Sequence, residues 1–180
     1  MAYYVDMVTP LQRIPLAFSS WIEQEIKPDG LLEEIDKYCQ TFRTDGPVLN
    51  HEIWVHKLDW TIREDETYSI GDSMSTIEYP FEVAIIVDAL DDFEAAEQKA
   101  IQLQAKTIMS IFKNYDPRIF PNGEGYINHF ALETGYNDGS LDAINREDDV
   151  IIKGFRLTLT IVIDWIECMK KAVNEGKTDG

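Results

Sequence analysis

Residues 151–165 read IIKGFRLTLTIVIDW, and apolar side chains recur at every second position of most of this stretch. The recurring positions are Phe155, Leu157, Leu159, Ile161, Ile163 and Trp165, and they alternate with Arg156, Thr158, Thr160, Val162 and Asp164. A period of two places the recurring side chains on one face of a β-strand. We therefore predict a half-buried strand of unusual length over 151–165, which centres the fold on a sheet.

Two earlier stretches share this period and are predicted to pair with each other. In 51–62, one face carries Trp54, Leu58, Trp60 and Ile62, and the other carries Ile53 and Val55. In 76–89, one face carries Phe81, Val83, Ile85 and Val87, and the other is partly apolar through Ala84 and Ile86. The connection over 63–75 is polar and includes Gly71, so a long antiparallel hairpin is predicted. A further strand is predicted over 126–134.

Helices are predicted before and after this hairpin along the chain. Residues 10–26 and residues 31–42 each carry an apolar stripe at the helical period. The clearest helix is predicted over 92–114, with Asp91 as its N-cap and Glu94 reaching back from the third helical position. Its apolar residues recur at three- and four-residue spacing, which is typical of a helix face that packs on a core: Ile101, Ala105, Ile108, Phe112 and Tyr115.

The length of 180 residues predicts a single domain, and the predicted helices and strands make it an α+β domain. Within it, residues 1–50 form a helical part, residues 51–165 form the sheet with the long helix 92–114, and residues 174–180 form a frayed tail. The fold class is a mainly antiparallel sheet of about four strands with a long hairpin, packed against helices on one face. Area scaling at this length buries about 70% of the unfolded chain's surface, which is enough for a core without disulfides.

The chain is strongly acidic, with 33 Asp and Glu against 16 Lys and Arg and a formal net charge of −17. Residues 59–94 carry a net charge of −10 and residues 133–149 carry −5, so these two segments hold most of the charge. Both segments consist largely of connections between strands, and antiparallel strands side by side could bring both to one end of the sheet. Such a surface either repels an anion or collects a cation, or it simply keeps the protein soluble.

This charge argues against partners that are held through phosphate contacts and against docking on an anionic membrane. Residues 1–10, MAYYVDMVTP, have neither a cationic n-region nor an apolar h-region, so no signal peptide is expected. No stretch approaches 18 apolar residues, so no membrane span is expected either. Cys39 and Cys168 are expected to be buried thiols in a reducing compartment.

The sequence predicts no catalytic site and no cofactor. His51 and His56 are five residues apart in a strand, so they point to opposite faces and cannot share a metal, and His129 has no His or Cys at ligand spacing. No serine elbow, Cys-x-x-Cys pair or phosphate-binding glycine loop occurs. The EF-hand register fails around Gly139, and a loose cation site stays open only among Asp138, Asp142, Asp148 and Asp149.

The order of elements resembles the tail terminator and tail-completion proteins of tailed bacteriophages, which join the head to the tail. The resemblance covers 51–165 and is carried by EYPFEVAIIVDALDDFEAAEQKAIQLQAKTIMSIFKN (78–114) and IIKGFRLTLTIVIDW (151–165). It implies a structural virion protein of the tail or neck, made in the host cytoplasm. It also implies a homo-oligomer, as a hexameric ring, that caps the tail tube, contacts head-completion or connector proteins, and lets DNA pass through its channel without specific binding.

The charge distribution suggests which residues serve such a ring. Because like charge keeps the duplex from sticking, acidic residues are expected to face the channel or its rims: Glu64, Asp65, Glu66, Asp72, Glu78, Asp138, Asp142, Glu147, Asp148 and Asp149. A ring also needs side-to-side contacts, for which the candidates are Ile53, Val55, Arg156, Thr158 and Thr160. Ile53 and Val55 could equally be covered by helices of the same chain.

Two other functions remain open at this point. A monomeric acidic binding module, such as an inhibitor that mimics DNA, would bind a basic partner tightly and in a salt-sensitive way. A small enzyme using dispersed carboxylates and a divalent metal would be stabilised by that metal.

Overall fold

The computed structural model describes residues 8–40, 51–63, 74–89, 91–120, 123–134 and 150–167. Its helices are α1 (Val8–Glu23) and α2 (Phe93–Asn114). Its strands are β1 (Lys37–Cys39), β2 (His51–Lys57), β3 (Thr61–Ile62), β4 (Met74–Asp88), β5 (Gly125–Thr134) and β6 (Val150–Asp164). The predicted α+β class is confirmed.

The strands form one sheet in the order β1-β2-β4-β6-β5, with β3 also paired to β4. Strands β4 and β6 pair antiparallel over their full 15 residues, from Met74 opposite Asp164 to Asp88 opposite Val150. The long hairpin is confirmed, although the predicted strand 51–62 is divided into β2 and β3. The sheet is larger than the predicted four strands because it also includes β3 and the short β1, which pairs parallel with β2.

Both helices lie on the same face of the sheet, as predicted. The Phe18 ring of α1 stacks on the Phe81 ring of β4 with centroids 4.2 Å apart, and both side chains are almost fully buried. Helix α2 packs on β4 and β6, where Gln104 donates a hydrogen bond to the Gly154 carbonyl at 2.7 Å. The core is therefore the layer between these helices and the inward residues of the strands.

The predicted second helix over 31–42 is wrong for its described residues. Residues 31–34 are turns, and Lys37–Cys39 form β1. The chain wraps around Glu25, whose backbone carbonyl accepts a hydrogen bond from the Leu32 amide at 2.8 Å. Gly30 permits this close approach, because a Cβ there would lie 2.2 Å from the Glu25 carbonyl oxygen. Leu32 and Ile35 belong to the apolar stripe of the predicted helix. Both are still buried, but in the non-helical stretch that leads into the sheet.

Helix α2 differs from its prediction in two details. Its N-cap is Asp92 instead of Asp91, with the carboxylate accepting from the Ala95 amide at 3.0 Å. The face turned to the core is also different, since the buried residues are Ala96, Ala100, Leu103, Thr107, Ser110 and Ile111. The predicted stripe lies mostly outward, because close packing on β4 and β6 selects the face with smaller side chains.

A buried carboxylate just after α1 is bound by residues at the end of α2. Glu25, which is 4% exposed, accepts hydrogen bonds from Asn114 Nδ2 at 3.0 Å, Lys113 Nζ at 2.9 Å and the Leu31 amide at 3.1 Å. These hydrogen bonds, from Asn114 first, lower the pKa of Glu25 to about 2.

A second carboxylate, Glu34, is held by two lysines of α2. It pairs with Lys99 and, at 2.6 Å, with Lys106. Burial raises the pKa of Glu34, but hydrogen bonds from Lys106 and Lys99 outweigh burial, so this pKa lies below its usual value. These ion pairs therefore hold the turn region that follows α1 against α2.

Candidate functional site

The face of the sheet opposite the helices, which we call the second face, carries a row of charged side chains. Residues that lie opposite each other in neighbouring strands share a face of the sheet. The register places His56 opposite Glu82, Glu82 opposite Arg156, and Arg156 opposite Glu133. The row therefore crosses β2, β4, β6 and β5 and alternates between basic and acidic groups.

Glu82 is the buried member of this row. It is 1% exposed, and its Oε2 lies 3.7 Å from His56 Nδ1. A buried carboxylate is costly unless basic or donor groups compensate its charge. His56 and the half-buried Arg156 supply basic groups on either side. Glu82 itself is out of reach of a partner, but the more exposed members of the row, His56, Arg156 and Glu133, can form directional hydrogen bonds with another protein surface.

A second buried acid lies near one end of this face. Trp54 Nε1 donates a hydrogen bond of 2.6 Å to Glu52 Oε2, and both residues are at most 4% exposed. Trp54 also packs with Ala84 and Ile86, and Cys39, Val150 and Ile152 surround this group. Towards the Asp88 end of β4, the second face is therefore largely apolar around the hydrogen-bonded Glu52, and nearer the middle of the strand it carries the charged row.

The predicted interface residues of β6 all lie on this second face. Arg156 is in the charged row, Thr158 is opposite Pro80, and Thr160 is opposite Glu78. Arg156 and Thr158 are half-buried, whereas Thr160 is 6% exposed. Their hydroxyl and guanidinium groups give this strand hydrogen-bonding capacity between the buried apolar residues.

Ile53 and Val55, candidates for side-to-side contacts, fit the alternative left open for them, which is cover by helices of the same chain. Ile53 is fully buried and Val55 is 4% exposed, and both belong to the core between sheet and helices. The helices of the same chain lie on this face of β2, and they cover both side chains.

Among the predicted channel-facing acids, Glu78 is described. It is half-buried on β4, and its Oε1 lies 3.5 Å from Arg63 Nε. The other nine lie outside the described residues: Glu64, Asp65, Glu66, Asp72, Asp138, Asp142, Glu147, Asp148 and Asp149.

The strands show where the acidic segments are attached. Segment 64–73 leads into Met74 at one end of β4, and segment 135–149 leads into Val150 at the start of β6. Val150 is opposite Asp88, at the other end of β4. The attachment points are therefore about 45 Å apart at opposite ends of the sheet, not at one end as first suggested.

The charged row was missed from the sequence, although a signal for part of it exists. Glu82 interrupts the apolar run 81–87, and it is in phase with the outward positions of its strand. Its pairing with His56 and Arg156 depends on the register between strands, which no local pattern specifies.

The described part of the chain holds no group of three or more His, Cys, Asp and Glu side chains that could bind a metal ion. His51 lies on the helix side of the sheet and His56 on the second face, as their spacing predicts. None of the described helices has the length and apolar character needed to cross a membrane.

Comparison with known proteins gives a structural likeness alone. No family model matches the sequence, and no curated protein matches it. One solved structure that is similar to this chain is the PVC sheath/tube terminator, in the extended state, of an extracellular contractile injection system. The TM-score is 0.48 at 8% sequence identity, over 82% of this chain and 54% of that chain. This chain thus spans about half the length of that protein, and at this TM-score the likeness carries no functional argument.

Proposed function

We propose that this chain is a structural, non-enzymatic protein of a phage tail or neck, where copies form a ring that caps the tail tube and joins it to the head. The observation that carries the proposal is the order of elements on which the resemblance rests. The long hairpin, the capped helix and the long last strand are all present, as β2–β4, α2 and β6.

The charge distribution supports a role beside DNA. A ring through which a duplex passes must not hold it, and a net charge of −17 opposes phosphate contacts. The acidic segments are attached at opposite ends of a long sheet, so we propose that they line the two rims of the channel. The β6 residues Arg156, Thr158 and Thr160 then serve contacts with a neighbouring copy, the tail tube or a head-completion protein.

The first test is the absolute mass in solution, by light scattering after gel filtration over a range of concentrations. We expect a mass of about six protomers of 20.7 kDa each, or a mass that rises towards this value with concentration. A stable monomer, both alone and when mixed with tail tubes, would contradict the ring and favour the acidic binding module. A pull-down with basic proteins would then be the next experiment.

A second test removes charge from one rim. We expect the combined variant Glu64→Gln, Asp65→Asn, Glu66→Gln and Asp72→Asn to assemble normally but to slow DNA ejection roughly tenfold, because the rim loses its repulsion of the duplex. Ejection is measured on assembled particles at two salt concentrations, and the difference should shrink at high salt.

The matched control neutralises four acids on the helix side of the chain that belong to neither acidic segment: Glu23, Asp29, Glu33 and Glu97. It changes the net charge by the same amount, so we expect ejection at the wild-type rate. Equal rates for the rim variant and wild type would show that these acids do not face the channel.

A further inference from the structure

The outward face of α2 is unusually poor in charge for so acidic a protein. Residues 98–115 contain no Asp or Glu, and their charged residues are three lysines. Lys99 and Lys106 pair with Glu34, and Lys113 pairs with Glu25. The side chains exposed between these ion pairs are therefore apolar or uncharged.

Large apolar side chains are exposed on this face. Ile101 is 44% exposed, Met109 is 56% exposed and Phe112 is 54% exposed. Phe112 packs edge-to-face on Phe130 of β5, with ring centroids 5.2 Å apart. Since β5 is the last strand of the sheet, the patch reaches that edge of the molecule. We call these exposed residues Ile101, Met109 and Phe112 the α2 ridge.

A groove lies towards the other edge of the sheet, on the same side as the helices. Pro15 and Leu16 of α1 form its wall, with Leu16 63% exposed, and Val55 and Phe81 contribute to its floor. Its volume is about 250 Å³, and Lys57 is the one charged residue among the described residues that line it. We call it the α1 groove.

We propose that the α2 ridge of one copy docks in the α1 groove of a second copy of this chain. The ridge is convex and the groove concave, and they lie towards opposite edges of one helix layer. A cavity of about 150 Å³ accepts a benzene ring, so the groove has room for the Phe112 ring. The inference builds on the proposed ring and names the contact that closes it.

Electrostatics favours a second copy as the occupant. Two chains of charge −17 repel each other over most of their surfaces, so self-association requires surfaces without acids. The ridge and the described lining of the groove both meet this requirement. Because the two surfaces differ, the contact is head-to-tail and can repeat around a ring.

The contact is tested by blocking each surface separately. The variants Phe112→Asp and Leu16→Asp should each weaken self-association by about 100-fold, because each places a charge in an apolar contact. Phe93→Asp is the matched control, since Phe93 is also on α2 and 62% exposed but lies outside the ridge. Met109→Asp is a second ridge variant without a ring contact to Phe130, and circular dichroism confirms that each variant is folded.

Mixing the two blocked variants gives the decisive result. The Phe112→Asp protein keeps its groove and the Leu16→Asp protein keeps its ridge, so together they should form a complex of two protomers and nothing larger. Each variant alone should remain at 20.7 kDa, and the Phe93→Asp protein should assemble as wild type does.

The outcomes separate this contact from the ring itself. If wild type forms six-protomer particles and the ridge and groove variants do so equally, the proposed contact is wrong and the ring stands. If wild type forms open chains that these variants break, the contact stands and the ring is wrong. A mixture that stays monomeric, or a wild type that is monomeric at every concentration, would overturn the contact.

Discussion

Replacing Phe18 with alanine is expected to lower the free energy of unfolding by about 3–5 kcal/mol. The Phe18 side chain is fully buried, stacks on Phe81 and packs edge-to-face against Trp21 at 6.1 Å. Removing it leaves a cavity between α1 and the sheet, which close-packed neighbours fill only in part. Urea unfolding at one fixed protein concentration measures the loss as a lower midpoint with an unchanged slope.

Phe93→Ala is the matched control for this experiment. Phe93 is 62% exposed at the first residue of α2, so its removal should change the free energy of unfolding by less than about 0.5 kcal/mol. A Phe18→Ala protein as stable as the Phe93→Ala protein would show that α1 does not dock on the sheet through this ring.

The second large effect is expected from Glu25→Gln, with a loss of about 2–3 kcal/mol in the free energy of unfolding at pH 7. The amide keeps the shape of the carboxylate but loses its charge. It also turns an NH₂ group towards donors from Lys113, Asn114 and the Leu31 amide. The side chain is almost fully buried, so water cannot replace these interactions.

The pH dependence of this loss follows from the lowered pKa of Glu25. The pKa is about 2 in the folded protein and 4.5 ordinarily, so the unfolded chain binds the proton more readily. The stabilisation by the carboxylate is therefore complete above about pH 5 and disappears as the pH falls towards 2. The difference in stability between wild type and Glu25→Gln should shrink over the same range.

Glu23→Gln provides the control, because Glu23 is exposed and accepts a single described hydrogen bond, from Gln40 at 3.3 Å. Its effect should stay within about 0.5 kcal/mol at every pH. A Glu25→Gln difference that does not change between pH 7 and pH 3 would contradict the described ion pair.

Strands β4 and β6 were predictable because each carries its own alternating pattern. The alternation in β4 and β6 specifies both the strand and its buried face, and the observed bounds lie within two residues of the predicted ones. Helices α1 and α2 were also located from periodicity and their end signals. The 31–42 prediction failed because turns can bury Leu32 and Ile35 as well as a helix does, while β1 gains hydrogen bonds from β2.

The candidate site was less predictable, since its parts meet only through the register of the sheet. The charged row depends on His56, Glu82 and Arg156 lying opposite one another, and these residues come from three strands. The acid segments were identified from the sequence, but their attachment at opposite ends of the sheet follows from the pairing of β4 with β6. Two of the three α2 ridge residues, Ile101 and Phe112, belong to the predicted stripe, which was assigned to the core.

The sequence by itself determined the charge of −17, which is a sum over residues, and the period of the long strands and helices, which depends on residues close together along the chain. Tertiary structure alone decided which apolar stripe of α2 is buried. Helix α2 carries apolar side chains on more than one face, and packing placed on the sheet the face where Ala96, Ala100, Thr107 and Ser110 accompany Leu103 and Ile111, because its small side chains allow close approach. Ile101, Met109 and Phe112 were thereby left outward, where a partner can reach them.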